Sequence, residues 1–320
     1  MAILLNILLL LVGFVLLIKG ADVFVDGAAD LAKKLGIPSL VVGLTIVAMG
    51  TSAPELAVSV SAAVKGSNSL AVSNVIGSNV FNILVVLGCC ALFKPVKVTA
   101  ELLKRDYPIC IGASVILLAF LAIGGNISRI EGFIFLALMI CYIALTVKSA
   151  LKNRAAEEAD SEKFSPWKCG LSIVLGATAI VFGGDMVVDN ATEIGLAFGM
   201  TEALVGLTIC AIGTSLPELV TSIVAAKKGQ TDMAVGNVVG SNLFNILFIL
   251  GVSGSISPIL INSEKVLDTV TDCSICLAVA VLAYIFSITG KKISRSEGGI
   301  FVVCYIGYMA YIIIRDMALL

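Results

Sequence analysis

Shifted by 163 residues, the sequence aligns with itself without a gap, and 29 of the 46 positions from 43 to 88 are identical to their partners. GLTIVAMGTSAPEL at residues 43–56 answers GLTICAIGTSLPEL at 206–219. AVSNVIGSNVFNIL at 71–84 answers AVGNVVGSNLFNIL at 234–247. Self-similarity on this scale means one structural unit used twice. Any fold for the chain must therefore place two equivalent halves side by side.

Polar punctuation divides the chain into about ten apolar stretches, each near the roughly 20 residues with which a helix crosses hydrocarbon. Hydrophobic residues make up 59% of the 320 and charged ones 13%, well beyond the roughly half apolar content of a soluble domain. The expected fold is all-α: a polytopic membrane protein of about ten transmembrane helices in two five-helix repeats. Residues 1–150 form the first repeat and 167–320 the second, with the hydrophilic segment 151–166 as linker. The opening MAILLNILLLLVGFVLLIKG lacks a basic leader and runs on into Asp22, Asp26 and Asp30, so it reads as the first span and not a cleaved signal.

Five crossings per unit is an odd number, so the second repeat enters the bilayer from the opposite side, and the repeats are inverted. Counted face by face, loops after spans 1, 3, 5, 7 and 9 hold sixteen Lys and Arg residues; the other face holds Lys65, Arg129, Lys265 and Arg315. That bias assigns the linker to the cytoplasm and both termini to the outside of a plasma membrane. A net charge of -1 gives no reason to expect a nucleic-acid partner, and no obligate protein partner is evident.

Chemistry concentrates where the repeats are most alike. The second span of each carries G-T-S-x-P-E: Gly50, Thr51, Ser52, Pro54 and Glu55, then Gly213, Thr214, Ser215, Pro217 and Glu218. A proline lacks the N–H that continues a helix, so each span breaks before it and restarts with the proline in the first turn. The expectation is that the carbonyls of Ala48 and Ala211 are freed beside the hydroxyls and the carboxylate. A glutamate inside an apolar span costs several kcal/mol unless paired or solvated, which makes both glutamates functional candidates. The third spans carry G-S-N-x-F-N, placing Ser78 with Asn82, and Ser241 with Asn245, on one helix face each. Helix-packing glue is the alternative reading of those residues.

The chain has no histidine, which removes a His-based relay or base, and the motifs contain no thiol. Cys273 and Cys276 form a C-x-x-C without a second pair, poor ground for zinc. An all-oxygen donor set of this kind suits hard cations such as calcium and sodium. Asp22 and Asp26 correspond to Asp185 and Asp189; they read as interfacial or capping carboxylates and stay outside the site, against a role in guiding cations.

The doubled motifs resemble the alpha repeats of the calcium/cation antiporter superfamily, in particular its prokaryotic sodium/calcium exchangers, over essentially the whole chain. The resemblance implies a secondary active antiporter, not an enzyme, needing no cofactor and alternately loading calcium or sodium as the first and sixth helices slide. On matching positions it nominates Ala48, Thr51, Ser52, Glu55, Ser78 and Asn82 with Ala211, Thr214, Ser215, Glu218, Ser241 and Asn245. Members of that family can carry aspartate where Asn245 stands, so this donor set has one fewer possible negative charge. Calcium/proton and potassium-dependent sodium/calcium antiport are alternatives within the same fold, and a passive channel is another. An intramembrane aspartyl protease built on Asp185 fits neither its Gly-x-Gly-Asp signature nor the repeat. In intact cells, a Glu158→Cys substitution is expected to stay protected from an impermeant thiol reagent; labelling from outside would reverse the assigned orientation.

Overall fold

The structure, a computed structural model of the chain, describes residues 2–66, 68–152, 166–199, 211–261 and 263–317. Hydrocarbon offers no hydrogen-bond partners, so an apolar chain satisfies its N–H and C=O groups within its own helices. Among the described residues eight helices are long and apolar enough to cross a membrane, nine when the bent pair Ser39–Thr51 and Ala53–Val64 counts as one span. The second-half counterpart of that pair runs through residues 200–210, outside the described residues; its described part is the turn Ala211–Gly213 and the helix Leu216–Lys227. Most of the linker, 153–165, also lies outside them.

Burial sorts the helices into a centre and a rim. Leu70–Phe93 and Thr231–Ile256, which carry the G-S-N-x-F-N motifs, have 78% and 89% of their most apolar window buried, against 17–33% for the other unbroken spans. The rim helices instead turn large apolar side chains such as Ile123, Ile130 and Leu267 outward. In water that would be an association hazard. In lipid it is the surface required.

Small residues let the central helices touch backbone to backbone, as is usual where lipid leaves no hydrophobic drive between helices. A Cβ added at Gly236 would lie 2.6 Å from the Leu40 carbonyl oxygen, and one at Gly240 would lie 2.7 Å from that of Leu44. A second glycine seam joins the two long helices Ala2–Leu35 and Pro166–Ala197. A Cβ on Gly13 would meet the Gly183 oxygen at 3.0 Å, and one on Gly20 the Gly176 oxygen at 3.0 Å. Partner numbers fall as residue numbers rise, so the helices run antiparallel. They are each other's counterparts at the 163-residue offset.

Short ladders tie the halves together at both ends. Strand β1 (Val96–Lys97) pairs antiparallel with β4 (Lys292–Ile293), and β2 (Asn126–Ile127) with β3 (Ile259–Leu260). Near the first ladder Arg295 donates to the Phe93 carbonyl at 3.4 Å, and Lys227 sits 5.1 Å from the Phe93 ring centre. Beside the second, Arg129 donates to the Ile256 carbonyl at 3.5 Å. The loops bearing β1 and β4 thus meet in one place, and those bearing β2 and β3 in another.

Gly236→Ala is expected to lower the thermal stability of the detergent-solubilised protein, because overpacking a tight contact costs about 1–3 kcal/mol. Gly112→Ala should not, since its added Cβ meets nothing within 4 Å. Equal melting of the two variants would contradict the close backbone approach.

Candidate cation-binding site

Two broken helices place the carboxylates. The first winds through a π-helical turn at Gly43–Val47, continues to Thr51, changes direction at Ser52 (ψ 13°) and restarts as Ala53–Val64 with Pro54 in its first turn, bent by 51°. Ser215 (ψ 7°) and Pro217 repeat this before Leu216–Lys227. Glu55 and Glu218 therefore stand in the first turn of a helix, where unpaired N–H groups and the helix dipole favour negative charge. π-helical turns also begin at Asn82 and include Asn245, at Asn82–Leu87 and Phe244–Ile249, as such bulges often do at functional positions.

One expectation is corrected here. The Ala48 carbonyl is not freed: it accepts the Ser52 N–H at 3.0 Å and the Thr51 hydroxyl at 3.4 Å. The reason is helical register, since the donor missing at Pro54 would have served Gly50, four residues back, while Ser52 keeps its N–H. Ala48 remains buried beside the break. Ala211 lies in the turn Ala211–Gly213, after which the Ser215 N–H turns to Ile212 at 3.2 Å.

Each carboxylate is braced by the serine of the opposite repeat. Ser52 donates through Oγ to Glu218 Oε1 at 2.7 Å, and Ser215 through Oγ to Glu55 Oε1 at 3.0 Å. Glu55, Glu218, Ser52 and Ser215 are all fully buried. Four asparagines form a second reciprocal network. The Asn79 and Asn242 amides donate to each other's main-chain carbonyls at 3.2 and 3.3 Å. Asn82 Nδ2 then donates to Asn242 Oδ1 at 3.1 Å, and Asn245 Nδ2 to Asn79 Oδ1 at 3.0 Å. With their nitrogens committed in this way, Asn82 and Asn245 keep their oxygens unbonded.

Asn79 and Asn242 were quoted in the sequence motif but not counted among site residues, and they are what orients two that were. Asn237 does similar work. It accepts from Thr51 at 3.2 Å and from Ser241 at 3.5 Å, and donates to Ser222 at 2.9 Å. Asn74, its counterpart, donates to Ser59 at 2.9 Å. The available signal was their identity across the repeat, which is shared with the ligand candidates themselves.

Six buried side-chain oxygens in this region accept and donate no hydrogen bond: Glu55 Oε2, Glu218 Oε2, Ser78 Oγ, Asn82 Oδ1, Thr214 Oγ1 and Asn245 Oδ1. All six belong to residues nominated from sequence. Hydroxyls of Thr146, Thr221 and Ser253 are unbonded too, outside the nominated set. A buried polar group left without a partner costs about 1–3 kcal/mol, so such a concentration is the mark of groups kept for a ligand. Among the described residues no three His, Cys, Asp or Glu side chains cluster; the donors are two carboxylates and neutral oxygens. Calcium takes 6–8 oxygen ligands of this sort.

A helical protein with eight apolar spans among its described residues, and with two homologous halves that meet at buried carboxylates, is of the polytopic membrane class. Its family follows directly from comparison: the sodium/calcium exchanger protein family matches twice, over residues 5–148 and 170–314, and the chain belongs to that family. It is 40% identical over 308 residues to the putative antiporter CaxA of Alkalimonas amylolytica, covering 93% of this chain and 95% of that one. With the sodium/calcium exchanger MaX1 of Methanosarcina acetivorans it shares 33% identity over 346 residues, covering 95% and 97%. A solved structure of the sodium-calcium exchanger NCX_Mj, soaked with 2.5 mM sodium and 1 mM strontium, superposes with a TM-score of 0.84 at 31% identity, covering 96% of this chain and 98% of that chain.

Asn79→Ala and Asn242→Ala are expected to weaken calcium binding about 10- to 100-fold, the usual loss when a group that orients a ligand is removed. Isothermal titration of the purified variants checks this. Unchanged affinity in a folded variant would mean that the amide network plays no part in presenting Asn82 and Asn245.

Proposed function

We propose that the protein is a secondary active antiporter that exchanges sodium for calcium at one midplane site formed by both repeats and exposed to each side in turn. The reading is carried by the cross-bracing of Glu55 and Glu218, each with one oxygen unbonded, together with four further unbonded oxygens on Ser78, Asn82, Thr214 and Asn245, and is supported by family membership. The site comprises Thr51, Ser52, Glu55, Ser78 and Asn82 with Thr214, Ser215, Glu218, Ser241 and Asn245; Ala211 contributes a main-chain oxygen, whereas the Ala48 carbonyl, with both lone pairs taken by Ser52 and Thr51, does not. Calcium and sodium are the transported substrates. The same site would select against soft metals, having neither imidazole nor thiolate.

The architecture in this reading is ten spans in two inverted repeats, 1–150 and 167–320, joined by the linker 151–166. Antiparallel packing of the two long counterpart helices supports inversion, as does the reciprocal pairing of residues 163 apart. The meeting of the loops after odd-numbered spans at one end supports the cytoplasmic assignment of the sixteen basic residues, with both termini outside the plasma membrane.

Charge counting makes the exchange electrogenic. Ionised Glu55 and Glu218 give the site two negative charges, which one calcium neutralises, whereas three sodium ions, the load usual in the family, leave +1; Asn245 cannot offset it. Each unbalanced charge couples to about 2.3 kcal/mol per 100 mV. Proteoliposomes loaded with sodium are expected to accumulate calcium-45 uphill, faster at inside-positive potential. Glu55→Gln or Glu218→Gln should nearly abolish uptake while leaving a monodisperse protein, because each removes a charged ligand from a dehydrated ion. A proton or potassium gradient that drives uptake in place of sodium would favour the alternative couplings. Wild-type exchange by a folded Glu218→Gln variant would reduce that carboxylate to a structural role.

A further inference from the structure

The two halves share 29 of 46 positions in their most similar stretch, yet the structure treats them differently. Lys228, just beyond the helix Leu216–Lys227, lies 2.6 Å from Asp22 Oδ1 and 2.7 Å from Asp26 Oδ1, and donates to the Asp22 carbonyl at 2.9 Å. Its counterparts at the 163-residue offset are Lys65, Asp185 and Asp189. Among the described residues those three form no such ion pair: the salt bridges are those of Arg105, Lys228 and Arg315.

A second difference, deep in the protein, has the same sense. Thr51 is fully buried and donates to Asn237 at 3.2 Å. Its counterpart Thr214 is only half-buried, its hydroxyl has no hydrogen-bond partner, and Asn74, the counterpart of Asn237, is half-buried as well. In both cases the bonds that are made join the first two spans of repeat one to the end of Leu216–Lys227 and the helix after it. The bonds that are not made join the equivalent elements with the repeats exchanged. Two independent contacts at different depths thus divide the molecule into one closed and one open half.

We propose that Lys228 with Asp22 and Asp26, and Lys65 with Asp185 and Asp189, are alternating ion latches that hold the transporter closed at one face and then at the other. In the present state the Lys228 latch is closed and the Lys65 latch open. Because the halves share one sequence pattern, exchanging their conformations gives an arrangement in which Lys65 reaches Asp185 and Asp189 while Lys228 is released. Lys227, over the Phe93 ring, and the loops bearing Lys94 and Arg295 share the Lys228 face, so the closed end is the one with the basic loops. The latch matters because its members are partly exposed: such pairs hold loosely enough to break in every cycle. The inference rests on alternating access, the reading proposed above.

The test uses oriented proteoliposomes of the full chain and measures apparent calcium affinity separately at each face. Apparent affinity scales with the fraction of protein open to that face. Lys228→Gln is expected to weaken affinity at the Lys65 face and tighten it at the Lys228 face, changing their ratio about two- to fivefold. Lys65→Gln should move the ratio the opposite way, and the double variant should restore it. A merely structural role moves both faces alike. Ratios that shift in the same direction in both variants, or stay fixed while flux continues, overturn the latch. For a variant without flux, hydrogen–deuterium exchange replaces it: Lys228→Gln should speed exchange in residues 216–229 and slow it in 53–66, and no difference overturns the proposal. Failure of wild-type sodium-driven uptake would instead remove the underlying reading, leaving the two outcomes distinguishable.

Discussion

Two carboxylates at the centre of an apolar protein are the constraint that the rest of the structure answers to. Neither Glu55 nor Glu218 could be placed there without compensation. The proline-broken helices supply it in part by giving each carboxylate a helix N-terminus; the serine one turn earlier supplies more by reaching across to the other repeat. Reach across the interface requires the helices to be close, which the glycines at 236 and 240 permit. The asparagine network completes the arrangement by holding two amides with their oxygens unbonded. Remove the carboxylates and most of these features lose their reason.

Reciprocity is what a duplicated unit provides, and its partial failure is as informative as its presence. The serine–glutamate and asparagine contacts occur in matched pairs, so the centre of the site is nearly two-fold. Away from the centre the matching stops, at Thr51 against Thr214 and at Lys228 against Lys65. On the proposed alternating-access reading, a site symmetric at its core and asymmetric away from it is what exposure to one side at a time requires.

The sequence made the essentials legible because a charge inside an apolar span is conspicuous and the repeat doubled every signal. Glu55 and Glu218, the breaks at Pro54 and Pro217, and the helix-face pairs Ser78–Asn82 and Ser241–Asn245 were all readable in that way. The expectation for the Ala48 carbonyl failed because the donor missing at Pro54 leaves the carbonyl of Gly50, not that of Ala48, without its helical partner, a matter of register that helical geometry settles. Asn79 and Asn242 stand beside the nominated pairs in the same motif, and only coordinates tell an amide that orients another from one that packs helices. Lys228 pairing with Asp22 and Asp26 could not be read at all: an alignment of the halves makes Lys65 and Lys228 equivalent, and conformation alone separates them.

The central claim is that the two repeats jointly hold one cation between their glutamates. Long-wavelength anomalous diffraction from crystals soaked in calcium tests it most directly. The account predicts a peak bridging Glu55 Oε2 and Glu218 Oε2, with ligand distances of about 2.3–2.6 Å and with Asn82 or Asn245 Oδ1 among the remaining ligands. Calcium bound to one glutamate alone, or away from both, would contradict it.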